Sequence, residues 1–315
     1  MSTTIILDCD PGIDDALAIA FAAGSPEIEL AGLTTVAGNV ELAKTTANAL
    51  AVASFVGLGS VPVTAGCGTP LLRPALHAGH VHGESGLGGA VLPTPARTAE
   101  AGHAIDFIIA AAAAAPGEIT LVATGPLTNI GLALRREPRL ASWVRDFVIM
   151  GGSASRGNVS PAAEFNIWAD PEAAAIVFGA QWPNGVRMIG LDVTLLARAT
   201  AAVQDRMRTL GELGSRLLLP ALAQYFDSSD DSADPGVEPP VHDVCAVVSI
   251  ADPSVFTYTP ALVQVETHGT LTSGMTVTDF SQSNIPNARV ATAIAADRFW
   301  DVTLDAYQAV SSRLG

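Results

Sequence analysis

The strongest constraint on the fold is the regular alternation of short apolar runs with longer helical segments. The opening run Thr4–Cys9 (TIILDC) is apolar on consecutive residues, the pattern of a strand covered on both faces. A Pro11–Gly12 turn follows, then an apolar helix over Ile13–Ala23. The pattern predicts a strand near Ile28–Val36, a helix over Leu42–Val56, a short strand at Val61–Thr64 and a Gly-, Pro- and His-rich loop from Gly66 to Arg97. An alanine-rich helix, Ala101–Ala115, is stopped by Pro116–Gly117. Strand Ile119–Ala123, helix Leu127–Arg136, strand Phe147–Met150, a loop Gly151–Phe165, a helix opening at Pro171–Phe178 and strand Val186–Leu191 continue the series. Helices over Ala202–Leu210 and Leu213–Tyr225 precede an acidic, proline-bearing stretch, Phe226–Pro240, and a helix at Val244–Ala251. Strands at Ala261–Glu266, Met275–Phe280 and Ala288–Ile294 and a helix at Arg298–Arg313 close the chain. Such alternation implies βαβ units. With no linker and no internal repeat, residues 1–315 read as one α/β domain: a single large open, mainly parallel sheet flanked by helices with a Rossmann-like core.

Polar residues follow the strands directly: Asp8 and Asp10, then Asn39, Thr128–Asn129, Gly151–Gly152 and Asp192. Ligands of open α/β sheets bind at the carboxyl ends of strands, so these residues are expected in one crevice.

Composition narrows the partners. The formal charge is −15 and Lys44 is the only lysine, a field that repels phosphate backbones and anionic lipid. Neither nucleic acid nor a membrane is expected as partner. The longest apolar run, Phe107–Ala115, is too short to span a bilayer, which takes about 20 residues. No basic segment with an apolar stretch behind it opens the chain, and Cys9, Cys67 and Cys245 form no C-x-x-C pair. These features suit a reducing cytoplasm.

The densest chemistry lies in Asp8-Cys9-Asp10-Pro11-Gly12-Ile13-Asp14-Asp15, four carboxylates in eight residues. One acid at a helix start can serve as a cap or dipole partner, but that does not account for four. A hard cation relieves such crowding, and oxygen-only ligation points to Ca²⁺ or Mg²⁺ over zinc. An EF-hand starting at Asp8 fails, with Ile13 where Gly is needed and Ile19 where Glu is needed. Lys44 follows an alanine, so there is no Walker A loop, and neither G-x-G-x-x-G nor G-x-S-x-G occurs. Asp8-x-Asp10 after a strand also resembles the nucleophile motif of haloacid-dehalogenase-like phosphatases, but the late Gly-Asp pair of that family is missing.

Asp8–Asp15 with Ala16-Leu17-Ala18-Ile19 closely resembles the opening of the inosine-uridine preferring nucleoside hydrolases. The likeness continues through Thr35-Val36-Ala37-Gly38-Asn39, His82-Gly83 with Gly86-Leu87-Gly88, Thr124-Gly125-Pro126-Leu127-Thr128-Asn129, and Met150-Gly151-Gly152. It extends to Asn158, Ala163–Pro171 (AEFNIWADP) and His242-Asp243. Each piece is short, but their order and their placement at strand ends are specific. The resemblance implies an open α/β fold, cleavage of N-ribosidic bonds, a tightly held Ca²⁺ and a homodimer or homotetramer.

Carried over by position, it implies that Asp10, Asp15, the carbonyl of Thr128 and Asp243 ligate Ca²⁺. Asp10 is the implied general base. Asp14, Asn39, Asn158, Glu164 and Asn166 are implied to bind the ribose hydroxyls, with Asp8 as support. His242 is the implied leaving-group acid, and His82 borders the base pocket as the alternative acid. Glycosidic cleavage through an oxocarbenium-like sugar needs such an activated water and a stabilised leaving group.

Plainer readings stand beside these. Gly38-Asn39 and Gly157-Asn158 are also turn pairs. Glu164 and Asn166 share a face if the segment is extended. Asp170-Pro171 reads as a helix cap. Phe165 and Trp168 suit either the substrate site or the core. His77, His80 and His82 share a Gly-rich loop without carboxylate spacing for a metal. Asp227, Asp230, Asp231 and Asp234 suit a solvated loop or a lid over the site.

Overall fold

The computed structural model describes residues 2–228, 238–281 and 283–314, the side chains of 225–228 excepted. Of the acidic stretch read as a lid, Asp230, Asp231 and Asp234 lie outside the described residues, and only the backbone of Asp227 is described.

Among the described residues nine strands form one sheet: β1 (Thr3–Cys9), β2 (Ile28–Thr35), β3 (Val63–Ala65), β4 (Ile119–Ala123), β5 (Asp146–Met150), β6 (Val186–Ile189), β7 (Phe256–Val265), β8 (Thr276–Asp279) and β9 (Ala288–Ile294). Their order is β3-β2-β1-β4-β5-β6-β9-β7-β8. Pairings from β3 through β9 are parallel, while β7 runs antiparallel to both β9 and β8. The β1–β2 register slips by one residue between Ile5 and Ile6.

The helices are α1 (Ile13–Gly24), α2 (Leu42–Phe55), α3 (Gly79–His82), α4 (Ala104–Ala114), α5 (Thr128–Arg136), α6 (Leu140–Trp143), α7 (Phe165–Ala169), α8 (Pro171–Phe178), α9 (Leu191–Thr194) and α10 (Ala201–Arg208). Then α11 (Gly211–Leu213) passes through a π-helical turn into α12 (Leu219–Ser228), and α13 (Asp243–Ala251) and α14 (Ala296–Leu314) follow. One core joins Ile5 and Leu7 to α1, α2, α13 and α14. The other joins Ile6, Leu121 and Phe147 to α4, α5 and α8. The consecutive apolar residues of β1 are thus divided between two helical layers, which is why that strand shows no alternation. Among the described residues no helix is long and apolar enough to cross a membrane.

The chain goes from β1 outward to β2 and β3, then returns to β1's other side to lay down β4, β5 and β6. The order therefore reverses between β1 and β4. That reversal opens a crevice beyond their carboxyl ends.

Several boundaries differ from the sequence reading. Strand β7 starts at Phe256, five residues before the expected Ala261. Pro260 hides it, because proline cannot donate to a ladder. It is tolerated because β8 pairs only from Leu262 onward, leaving Pro260 bonded to β9 alone. The run Val186–Leu191 divides, with β6 ending at Ile189 and Leu191 opening α9. The loop from Gly66 contains the short helix α3. Glu164 and Asn166 do not share an extended face: Glu164 is the N-cap of α7, and Asn166 lies inside that helix.

Candidate active site

A cavity of about 510 Å³ opens at the crevice. Its lining includes Asp14, Asn39, His82, Thr124, Asn158, Glu164, Phe165, Asn166, Trp168, His242 and Asp243. Segments far apart in the chain meet there because each follows a strand end or opens a helix.

Asp10 leaves β1 fully buried. Its Oδ2 accepts the Asn39 N–H at 2.7 Å, while its Oδ1 is buried with no hydrogen-bond partner. Gly38 and Gly125 flank this carboxylate closely. A Cβ at Gly38 would stand 2.1 Å from Oδ2, and one at Gly125 would stand 2.7 Å from Oδ1. Only glycine fits at either place.

Asp15, in the first turn of α1, reaches back to the Gly12 N–H at 3.1 Å. It also accepts the Thr124 hydroxyl at 2.8 Å and the Asn39 Nδ2 at 3.3 Å. Asp14, one residue earlier, accepts the backbone N–H of His242 at 3.2 Å, tying α1 to the start of α13. Asp243 is buried close to Asp15, and each carboxyl acts on the titration of the other. Burial, then the neighbouring Asp15, holds Asp10 well above the usual carboxylate range. Burial followed by Asp15, Asp14 and Asp10 does the same to Asp243, and burial also raises Asp15. Among the described residues no three Asp, Glu, His or Cys side chains already converge on one ion position. Asp8 lies one layer deeper. Its Oδ1 accepts Thr34 Oγ1 at 2.6 Å and Asn129 Nδ2 at 2.8 Å, and burial lifts it to about 7.

The opposite wall comes from β5 and α7. Glu164 uses both oxygens on backbone N–H groups: Gly152 at 2.8 Å, Asn166 at 2.8 Å and Ile167 at 3.2 Å. Burial still raises it to about 7. Asn166 donates Nδ2 to the carbonyls of Thr124 at 2.9 Å and Met150 at 3.1 Å. Asn158 accepts the Phe165 N–H at 2.9 Å from an exposed position. Phe165 and Trp168 are half-buried cavity walls, whereas Ile167 between them fills the core.

Two histidines face the same space. His82, on α3, accepts the Ile13 N–H on Nδ1 at 3.1 Å, and burial followed by His242 and His80 pushes it down to about 3. His242 pairs its Nδ1 with Thr194 Oγ1 at 2.8 Å, and burial pushes it down to about 4.

Thr128 departs from the expected arrangement. It opens α5, so its carbonyl enters the helix's own ladder, and its hydroxyl goes to Asp170 Oδ2 at 2.7 Å. The threonine that reaches the cavity beside Asp15 is Thr124, immediately after β4. Asp192 likewise stays outside the cavity lining and secures Ser153 and Ala154. Asp170 caps α8 through the Ala173 N–H at 3.0 Å, as its Asp-Pro context suggests. Thr194 was invisible to sequence reasoning, since nothing in its surroundings marks a lone threonine as bound to a distant histidine.

Known proteins match this arrangement along nearly its whole length. The family model "Inosine-uridine preferring nucleoside hydrolase" matches residues 5–301. The chain is 46% identical over 314 residues to the inosine-uridine preferring nucleoside hydrolase of Leishmania major, covering 98% of this chain and 99% of that one. It is 40% identical over 310 residues to the pyrimidine-specific ribonucleoside hydrolase RihA of Salmonella paratyphi B, with coverage of 98% and 99%. The structure resembles a purine-preferring ribonucleoside hydrolase from Gardnerella vaginalis with a TM-score of 0.90 at 33% identity, covering 99% of this chain and 100% of that one. With the sheet, the crevice and the sequence in agreement, the chain belongs to the inosine-uridine preferring nucleoside hydrolase family and is a nucleoside hydrolase.

Proposed function

We propose that this enzyme hydrolyses the N-glycosidic bond of ribonucleosides, purine, pyrimidine or both, releasing free base and ribose, and that it depends on a tightly bound Ca²⁺. The observation that carries the reading is Asp10. Its carboxylate is buried just behind the cavity lining and gripped on one oxygen, with the other oxygen unpartnered, and its charge acts on Asp243 in that lining.

The donors fit a hard cation: oxygen ligands only, buried, and pushed above the usual carboxylate range by burial and by each other, a cost that positive charge would relieve. Asp10, Asp15, Asp243 and the carbonyl of Thr124 would hold it, with Thr124 in the place expected of Thr128. When bound, the ion supplies charge that acidifies water and orients the sugar's vicinal hydroxyls.

The chain's own groups divide the rest. Asp10 removes a proton from the attacking water as the new C–O bond forms at the anomeric carbon and the C–N bond breaks. Asp14, Asn39, Asn158, Glu164 and Asn166 surround the ribose. Glu164 acts largely by fixing the wall, since both its oxygens accept backbone N–H groups, and Asn166 is anchored there through its Nδ2. His242 offers its N–H to the departing base, with Phe165, Trp168 and His82 bounding the base. A homodimer or homotetramer belongs to the same reading.

The test is a panel of inosine, uridine and p-nitrophenyl phosphate, following free base, reducing sugar and phosphate. Release of base and ribose from one or both nucleosides, with no phosphate released, is the expected result. Phosphate release with intact nucleosides would replace this reading with phosphatase chemistry.

A further inference from the structure

His242 has two ring nitrogens, and the structure gives one of them a partner away from the cavity. Nδ1 lies 2.8 Å from the hydroxyl of Thr194. Thr194 is fully buried, does not line the cavity, and ends the single-turn helix α9. His242 does line the cavity, which leaves Nε2 as the nitrogen available to a ligand.

The direction of the bond follows from the neighbours. A threonine hydroxyl inside a helix commonly donates to the carbonyl four residues back. Here that carbonyl, Gly190 O, already accepts the N–H groups of Val193 and Thr194, each at 3.1 Å. The Thr194 proton is therefore directed to Nδ1. An imidazole that accepts on Nδ1 carries its hydrogen on Nε2.

Helix α9 is itself held. Asp192, two residues before Thr194, accepts Ser153 Oγ at 3.1 Å, the Ala154 N–H at 2.8 Å and Ser155 Oγ at 2.5 Å. The backbone of His242 is fixed separately by Asp14. Ring and backbone are thus anchored from two different elements.

We infer that Thr194 is a positioning residue for the reaction: its hydroxyl sets both the orientation and the tautomer of His242, presenting Nε2–H to the leaving base. The inference rests on His242 serving the leaving group, as proposed above.

The test compares Thr194→Val, Thr194→Ser and His242→Ala with inosine and with p-nitrophenyl riboside, whose leaving group departs without protonation. Thr194→Val is expected to lower kcat for inosine by about 10- to 100-fold, less than His242→Ala does. KM for inosine and kcat for the nitrophenyl substrate should stay within about threefold, and Thr194→Ser should restore inosine turnover to a similar margin. Imidazole ¹⁵N shifts supply a readout independent of turnover. Wild-type His242 should show a protonated Nε2 and a bare Nδ1, and Thr194→Val should lose that preference. Equal losses on both substrates, or an unchanged tautomer, would overturn the role of Thr194. If His242→Ala itself lowers both substrates equally, the assignment of His242 has failed and Thr194's role in catalysis fails with it. The ¹⁵N shifts still report whether Thr194 sets the ring. Should Thr194→Val not fold, the same shifts and substrate ratio in Thr194→Ala decide the matter.

Discussion

The backbone N–H of Asn39 meets Asp10 Oδ2 at 2.7 Å, and Asp10 Oδ1 has no hydrogen-bond partner. A carboxyl held by one oxygen and open at the other is positioned with one oxygen left to act. Asp10→Asn should therefore lower kcat by about 10²- to 10⁴-fold as general base catalysis is lost, with metal affinity falling as well. Because burial already favours the uncharged form of this side chain, the fold should persist, as circular dichroism will show. Near-wild-type turnover would remove Asp10 from the reaction.

Removal of the bound metal should abolish turnover, and added Ca²⁺ should restore it. The melting temperature of chelated protein should rise with Ca²⁺ concentration, as mass action requires of a ligand bound only by the folded state. Asp15→Asn should weaken that response, and Thr128→Val should leave it intact because the Thr128 hydroxyl serves Asp170. Full activity in protein verified as metal-free by elemental analysis would exclude the metal.

Nucleosides lacking the 2′-hydroxyl should be poor substrates. Asp14 and Asn39 are buried polar groups at the cavity, and a missing hydroxyl leaves such groups without their ligand. Discrimination of this type reaches about 10⁴-fold in sites built to read a hydroxyl. Similar kcat/KM values for inosine and 2′-deoxyinosine would contradict the assignment of the sugar wall.

Glu164 gives a pH signature. Its folded value of about 7 lies above its usual 4.5, so across that window the folded protein keeps a proton that the unfolded chain releases. Stability from this group falls as pH rises through the window, by at most about 3 kcal/mol. Glu164→Gln lowers stability overall, since an amide nitrogen would replace an oxygen facing backbone N–H groups. It should nonetheless flatten this slope. Urea denaturation of both proteins at several pH values measures the difference, and parallel profiles would show that Glu164 titrates normally.

Much of the site was legible because four acids at one strand end have no apolar explanation, and because helix starts such as Asp170-Pro171 state their own caps. The mainly parallel sheet followed from strands apolar on consecutive residues, as strands covered by helices on both faces must be; their order did not. What escaped was local direction. Two threonines stand four residues apart in Thr124–Thr128, and only the end of β4 at Ala123 decides which faces the crevice. Glu164 and Asn166 looked like alternating strand residues until Glu164 became the cap of α7. Thr194 and His242 are 48 residues apart and meet where the end of α9 comes beside the start of α13, which no local pattern records.

The slipped register in β2 has a consequence for parity. In an unbroken strand Ile28, Leu30 and Thr34 would all point one way and Glu29 and Leu33 the other, since side chains alternate. Ala31 stands unpaired between Leu30, opposite Ile5, and Gly32, opposite Ile6. That single extra residue reverses the count, so Ile28, Leu30 and Leu33 all face the layer that holds Ile5 and Leu7, while Thr34 turns to the other side and bonds Asp8. A strand of strict period two could satisfy the oily layer or the aspartate, but not both; one miscounted residue, far below the crevice, lets it do so.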